Sequence, residues 1–146
     1  MRLIRVGFLF GLMAMLTLAA AATISAAGGR PLATTLSGAE EVPGPGDADG
    51  SGRARITVNP GLAEICFWLE VHDIDPAIAA HIHVGNAGEA GPVVVGLAAP
   101  ASGQSNGCVA VTRALAKAII QNPSHYYVNV HNPAFKAGAV RGQLGD

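Results

Sequence analysis

Two histidines with one residue between them, His81-Ile82-His83, lie inside the run Ala79-Ala80-His81-Ile82-His83-Val84-Gly85. Successive strand side chains point to opposite faces, so in a strand His81 and His83 share one face while Ile82 and Val84 share the other. A third histidine, His131, ends a second strand-like run, Tyr126-Tyr127-Val128-Asn129-Val130-His131. If the two runs lie side by side, three imidazoles converge. Imidazole suits copper, zinc and nickel, so His81, His83 and His131 form a candidate metal site. The competing reading is a metal-free polar network in which the rings bond to Asn129, Tyr127 or backbone. The other two of the five histidines, His72 and His125, are expected in solvent. His125 shares strand parity with His131 but starts that run, about 20 Å away in extended geometry.

Other chemistry-bearing residues are fewer. Arg141 either aims at an anion or pairs with a carboxylate, Glu40 or Glu41, and the pairing is favoured. Glu40 and Glu41 are poorly placed as a catalytic pair, because adjacent strand residues face opposite ways. Asp47 and Asp49 lack the further oxygen ligands of a calcium loop. Trp68 is expected to pack beside Cys66 rather than serve as a binding platform. Cys66 and Cys108 are either a disulfide or two buried thiols. Export and an even count favour the bridge, which would close about 43 residues and contribute about 4 kcal/mol on the chain-entropy model. No nucleophile-elbow, phosphate-loop or dinucleotide motif is present.

The elements that must position these residues are short strands. Leu32 to Leu36, Arg53 to Val58, Leu62 to Val71, Val93 to Val95, Cys108 to Val111 and Ala139 to Leu144 add to the two histidine runs. Asn59-Pro60-Gly61 turns the second of these into the third as a hairpin. In the third, Ile65, Phe67, Leu69 and Val71 make a core face, with Cys66, Trp68 and Glu70 opposite. Gly44 to Gly52, Asn86 to Pro92 and Pro100 to Gly107 read as loops. A single helix is expected over Arg113 to Asn122, capped by Thr112 and stopped by Pro123. The fold class is mainly β: an antiparallel, Greek-key-like β-sandwich or barrel of about eight strands with one short helix.

The 146-residue length fits one domain. Its first 27 residues have the layout of a secretory signal peptide: Arg2 and Arg5, an apolar run from Val6 to Leu18, then small residues to Ala27. The domain is therefore expected over residues 28–146, secreted or periplasmic, with no membrane span after signal cleavage. Removing Arg2 and Arg5 from the 9 basic residues leaves 7 against 10 acidic ones, a net charge of −3. That balance argues against nucleic acid, whose phosphates need a basic patch.

Four motifs in order carry a resemblance. Leu36-Ser37-Gly38-Ala39-Glu40-Glu41-Val42-Pro43, Ala80-His81-Ile82-His83 with Gly91-Pro92-Val93-Val94, Tyr127-Val128-Asn129-Val130-His131 and Arg141-Gly142-Gln143-Leu144 resemble the CHRD domain. This module is named for chordin, an extracellular antagonist of bone morphogenetic proteins, and also occurs singly in exported bacterial proteins. A weaker likeness is to the copper half of copper–zinc superoxide dismutases. It rests on His81-Ile82-His83, Ala90-Gly91-Pro92, Val130-His131 and Ala137-Gly138-Ala139-Val140-Arg141. Val93 stands where that family has its bridging histidine, and no histidines fill a zinc loop. The resemblance implies copper rather than zinc, on three imidazoles. The leading reading is a non-catalytic exported module that binds a metal or an extracellular protein partner. A dismutase-like copper enzyme and a metal-free structural or adhesion module of the envelope are the alternatives.

Overall fold

In the computed structural model, which describes residues 28–145, the alternating runs become eight antiparallel strands. They are β1 (Arg30–Ser37), β2 (Ser51–Asn59), β3 (Glu64–His72), β4 (Ala79–Val84), β5 (Val93–Leu97), β6 (Gln104–Ala110), β7 (Tyr126–His131) and β8 (Val140–Gln143). The expected signal peptide lies outside the described residues. β2 shows why its sequence makes a strand. Gly52, Ala54, Ile56 and Val58 are buried, whereas Arg53, Arg55 and Thr57 are exposed. β3 repeats the pattern with Ile65, Phe67, Leu69 and Val71 inward. The two pair in register from Ser51 opposite His72 to Asn59 opposite Glu64.

The strands run β5-β4-β7-β8-β1-β2-β3-β6 across a single sheet. Its middle is thin, since β1 and β8 share only Ser37 opposite Arg141, supported by a bridge between Ala33 and Gly145. The sheet thus folds into two four-stranded halves that enclose one apolar core, a nearly closed barrel or sandwich. Both halves supply that core: Leu36, Ile56, Ile65 and Leu69 from one, Ile82, Val128, Val130 and Val140 from the other. The chain crosses between halves three times, from β3 to β4, from β5 to β6 and from β6 to β7, which gives the Greek-key-like connectivity.

The one α-helix among the described residues, α1 (Arg113–Gln121), caps the core during the return to β7. The Thr112 side chain accepts the Leu115 N–H, satisfying one donor at the helix start. Ala116 and Ile119 are buried, and Leu115 and Ile120 pack partly against the core. Pro123 follows in a 3-10 turn, Pro123–His125, that leads into β7.

One sequence expectation shifts. β6 starts at Gln104, inside the segment read as a loop. Gln104, Ser105, Asn106 and Gly107 have low strand propensity, but pairing with Phe67 to Glu70 of β3 holds them extended. Trp68 stands on the outer face under Arg55, whose guanidinium carbon is 5.3 Å from the ring centroid. The cross-strand register brings Arg55 opposite Trp68, which supplies a cation–π contact.

Cys66 and Cys108 form a disulfide with Cα atoms 3.9 Å apart. They are directly opposite in the β3–β6 ladder. Direct pairing in the ladder brings the two together, and the separation is shorter than the range of about 4.4–6.8 Å usual for bridges. The bridge ties a 42-residue separation across the edge strand β6. The double variant Cys66→Ser/Cys108→Ser is expected to keep its strand spectrum and lose about 2–4 kcal/mol in urea unfolding. An unchanged unfolding midpoint would show that β6 is held by packing alone.

Candidate functional site

Strand β7 is buried along its whole length, on both faces. Tyr126, Val128 and Val130 face the core, so Tyr127, Asn129 and His131 project from the outer face. β4 and β8 flank β7 and add polar groups to the same face. The register sets His83 opposite Tyr127, His81 opposite Asn129, Arg141 opposite Asn129 and Gln143 opposite Tyr127. β5 carries a register irregularity beside Ile82 and His83, where Ile82 pairs with Val95 and His83 with Val93. Such a bulge sharpens the local twist next to the histidines.

Desolvated polar groups need partners, and loops supply them. The loop after β4 folds back over the face. His83 Nδ1 lies 2.8 Å from the Gly91 carbonyl oxygen. The Tyr127 hydroxyl accepts the Gly91 N–H at 3.0 Å. Gly91 is required by closeness: a Cβ there would fall 1.6 Å from the Val84 carbonyl oxygen. Arg141, 1% exposed, donates to the carbonyls of Glu89 and Asn86 at 2.8 and 2.9 Å. Gln143 donates to Gly85 O and Ser124 O. The loop after β7 returns in the same way, bringing the Lys136 carbonyl 3.0 Å from His131 Nδ1.

The three rings converge. His81 Nδ1 lies 3.0 Å from His131 Nε2, and one nitrogen from each of His81, His83 and His131 falls within 4.8 Å of the others. The loop carbonyls fix which nitrogens these are. A carbonyl accepts, so Nδ1 of His83 and of His131 each carries a proton, leaving both Nε2 lone pairs free. His131 Nε2 accepts the proton of His81 Nδ1. His83 Nε2 is buried and has no hydrogen-bond partner in the protein. Burial lowers the pKa of His81 and of His131, and each is lowered further by the charge of neighbouring histidine. His81 and His131 are therefore favoured as neutral imidazoles, the form that ligates metal.

A stack backs the cluster. The His83 ring lies flat on Tyr127, centroids 4.7 Å apart at 11°. The Arg141 guanidinium covers the other side of Tyr127, 3.4 Å from its centroid. Arg141 thus spends its hydrogen bonds on loop carbonyls and on Gln143 Oε1. Glu41, the carboxylate expected as its partner, is buried nearby and feels its charge, while Glu40 is exposed. His72 and His125 are both exposed and outside the cluster. Cys66 and Cys108 lie in the other half of the barrel, on β3 and β6.

The stacking role of Tyr127, the burial of Glu41 and the contacts of Gln143 are what the sequence left unassigned. The odd-numbered parity of Tyr127, Asn129 and His131 was the available signal for the first. For Glu41 there was none, since its burial depends on loops from distant positions. Gly138, at φ +153°, packs against the Glu41 carboxyl so closely that a Cβ would lie 2.3 Å from it.

Comparison with known proteins gives one match: the family model of the CHRD domain covers residues 32–144. No curated protein and no solved structure matches the chain.

Desolvation raises Glu41 from 4.5 to about 7, against the charge of Arg141 and hydrogen bonds from Val42 and Asn129. A carboxyl whose folded pKa is raised stabilises the fold below its unfolded value, and that stability is lost as pH rises through about 7. Glu41→Gln, which mimics the protonated acid, is expected to gain in denaturant midpoint over the parent at about pH 8.5 and to lose that advantage at about pH 5. An equal difference at both pH values would contradict the assignment.

Proposed function

The chain belongs to the CHRD domain family, and from that membership we propose that it is an exported, non-catalytic binding module holding one copper ion on His81, His83 and His131. The observation that carries this reading is the convergence of three imidazoles, with His83 Nε2 buried and unpartnered. A ring nitrogen desolvated without a partner costs free energy, and a ligated cation would offset that cost. In the metal-free fold His81 and His131 share one proton over 3.0 Å. A bound cation would replace that proton, with His81 turning to its Nε2–H tautomer. The nitrogens are within 4.8 Å, whereas two ligands at about 2.0–2.1 Å from one ion can be no more than about 4.2 Å apart. Nitrogens within 4.8 Å of one another therefore need at most about half an ångström of closure, within reach of side-chain rotation.

Copper fits better than zinc for a stated reason. Among the described residues the group contains neither carboxylate nor thiolate, and a neutral nitrogen set favours copper on the Irving–Williams order. The dismutase-like alternative has less support, because Arg141 is turned toward loop carbonyls and is fully buried. An extracytoplasmic location agrees with the disulfide. Among the described residues no helix is long and apolar enough to cross a membrane. An extracellular protein partner remains part of the proposal, as the family's modules bind outside the cell.

The test is calorimetric titration of residues 28–146 with copper and zinc, beside His81→Ala, His83→Ala and His131→Ala. One equivalent of copper is expected, bound more tightly than zinc, with each variant weaker by at least about 10–100-fold. Affinity should fall as pH drops through the lowered pKa values of His81 and His131, below the ordinary imidazole value of 6.5, where protons compete for the rings. If all three variants bind like the parent, the metal reading fails and the module is a metal-free binding or structural domain.

A further inference from the structure

The disulfide has a third neighbour. Cys66 Sγ lies 3.4 Å from a carboxylate oxygen of Glu64. The ligating atoms of Glu64, Cys66 and Cys108 all fall within 4.8 Å of one another. Strand geometry accounts for this. Glu64 and Cys66 are two residues apart on β3 and share its outer face, while Cys108 is paired with Cys66 across the ladder. The group is also reachable. β6 is an edge of the sheet, Cys108 is exposed, and Cys66 and Glu64 are half-buried.

We propose that this group is a redox-gated metal site: when the disulfide is reduced, Cys66, Cys108 and Glu64 bind one zinc ion. The reductant is a dithiol of the thiol–disulfide exchange class. Its thiolate attacks the exposed Cys108 sulfur, the S–S bond breaks, and Cys66 leaves as a thiolate that takes a proton. The second thiol of the reductant then resolves the mixed disulfide. Two electrons and two protons have passed to the cysteine pair, and the dithiol departs as its own disulfide. Zinc binding afterwards releases the two thiol protons to solvent. Two thiolates and one carboxylate fill three tetrahedral positions, and water takes the fourth.

Charge explains why a cation is needed and why oxidation closes the site. Two thiolates beside a carboxylate repel one another, so without a cation the thiols stay protonated. A divalent ion makes their ionisation favourable. In the disulfide neither sulfur carries charge, and the carboxylate of Glu64 alone is no site. None of these residues is shared with the histidine cluster, which occupies β4 and β7, so this inference stands apart from the proposal above.

The test uses cobalt as a zinc probe, because thiolate-to-cobalt charge-transfer absorption reports sulfur ligation that imidazoles do not give. The chain is reduced with a phosphine, which leaves no competing thiol, and its strand circular dichroism is checked. The reduced parent is expected to take one cobalt with the charge-transfer band, displaced by zinc, and the oxidised parent to show no band. Cys66→Ser and Cys108→Ser should each abolish the reduced-parent spectrum, and Glu64→Gln should weaken binding at least about tenfold. A reduced parent that keeps its strands but lacks the band overturns the proposal, as does one that loses its strands on reduction. A Glu64→Gln variant that binds like the parent overturns the three-ligand site.

Discussion

Burial of β7 on both faces is the constraint on which the rest of the structure depends. A strand with an apolar inner face needs nothing beyond the core, but Tyr127, Asn129 and His131 are polar and are buried all the same. Each must find a partner inside the protein or hold an unsatisfied group at a cost of roughly 1–3 kcal/mol. The loops after β4 and after β7 meet that demand for Tyr127 and His131 with backbone groups, while Asn129 Oδ1 is left without a partner. Their fixed path in turn orients the ring nitrogens, so loop conformation and site chemistry are one problem.

Arg141 shows how tightly the two are joined. A fully buried guanidinium is costly unless its donors are used, and here they go to Glu89 O, Asn86 O and Gln143 Oε1. Its face lies on Tyr127, and Tyr127 lies on His83. One cation therefore pins the loop that holds His83 Nδ1 and the ring that supports His83 from behind. The arginine acts on the histidines by positioning. Glu41 is pressed against Gly138 in the loop whose Lys136 carbonyl orients His131. The loops that orient His83 and His131 are thus each packed against a buried ionisable residue, Arg141 and Glu41.

The two halves of the barrel carry different chemistry. The half containing β4 and β7 packs a nitrogen set under loops, where desolvation lowers the pKa of His81 and His131. The half ending in β6 exposes sulfur and oxygen on an open edge. Solvent access separates them. A buried site is shielded and pre-organised, whereas an edge site is open to exchange with another molecule.

The sequence by itself determined much of this protein. Strict alternation in Arg53 to Val58 and Ile65 to Val71 identified strands and their inward faces, because period-two patterning is a local property. Thr112 and Pro123 bounded the helix for the same reason, since capping and proline sterics act within one turn. The His-x-His spacing put two imidazoles on one face. Tertiary structure decided the remainder. That β4 lies beside β7 is a long-range pairing no local pattern contains, and it alone brings His131 to His81. The extension of β6 back to Gln104 came from pairing with β3, against weak propensity. The partners of Arg141 are backbone carbonyls, which every residue has, so side-chain identity offered no sign of them. Glu41 is buried because loops from opposite ends of the domain close over it, and the energy of a buried carboxyl depends on that enclosure.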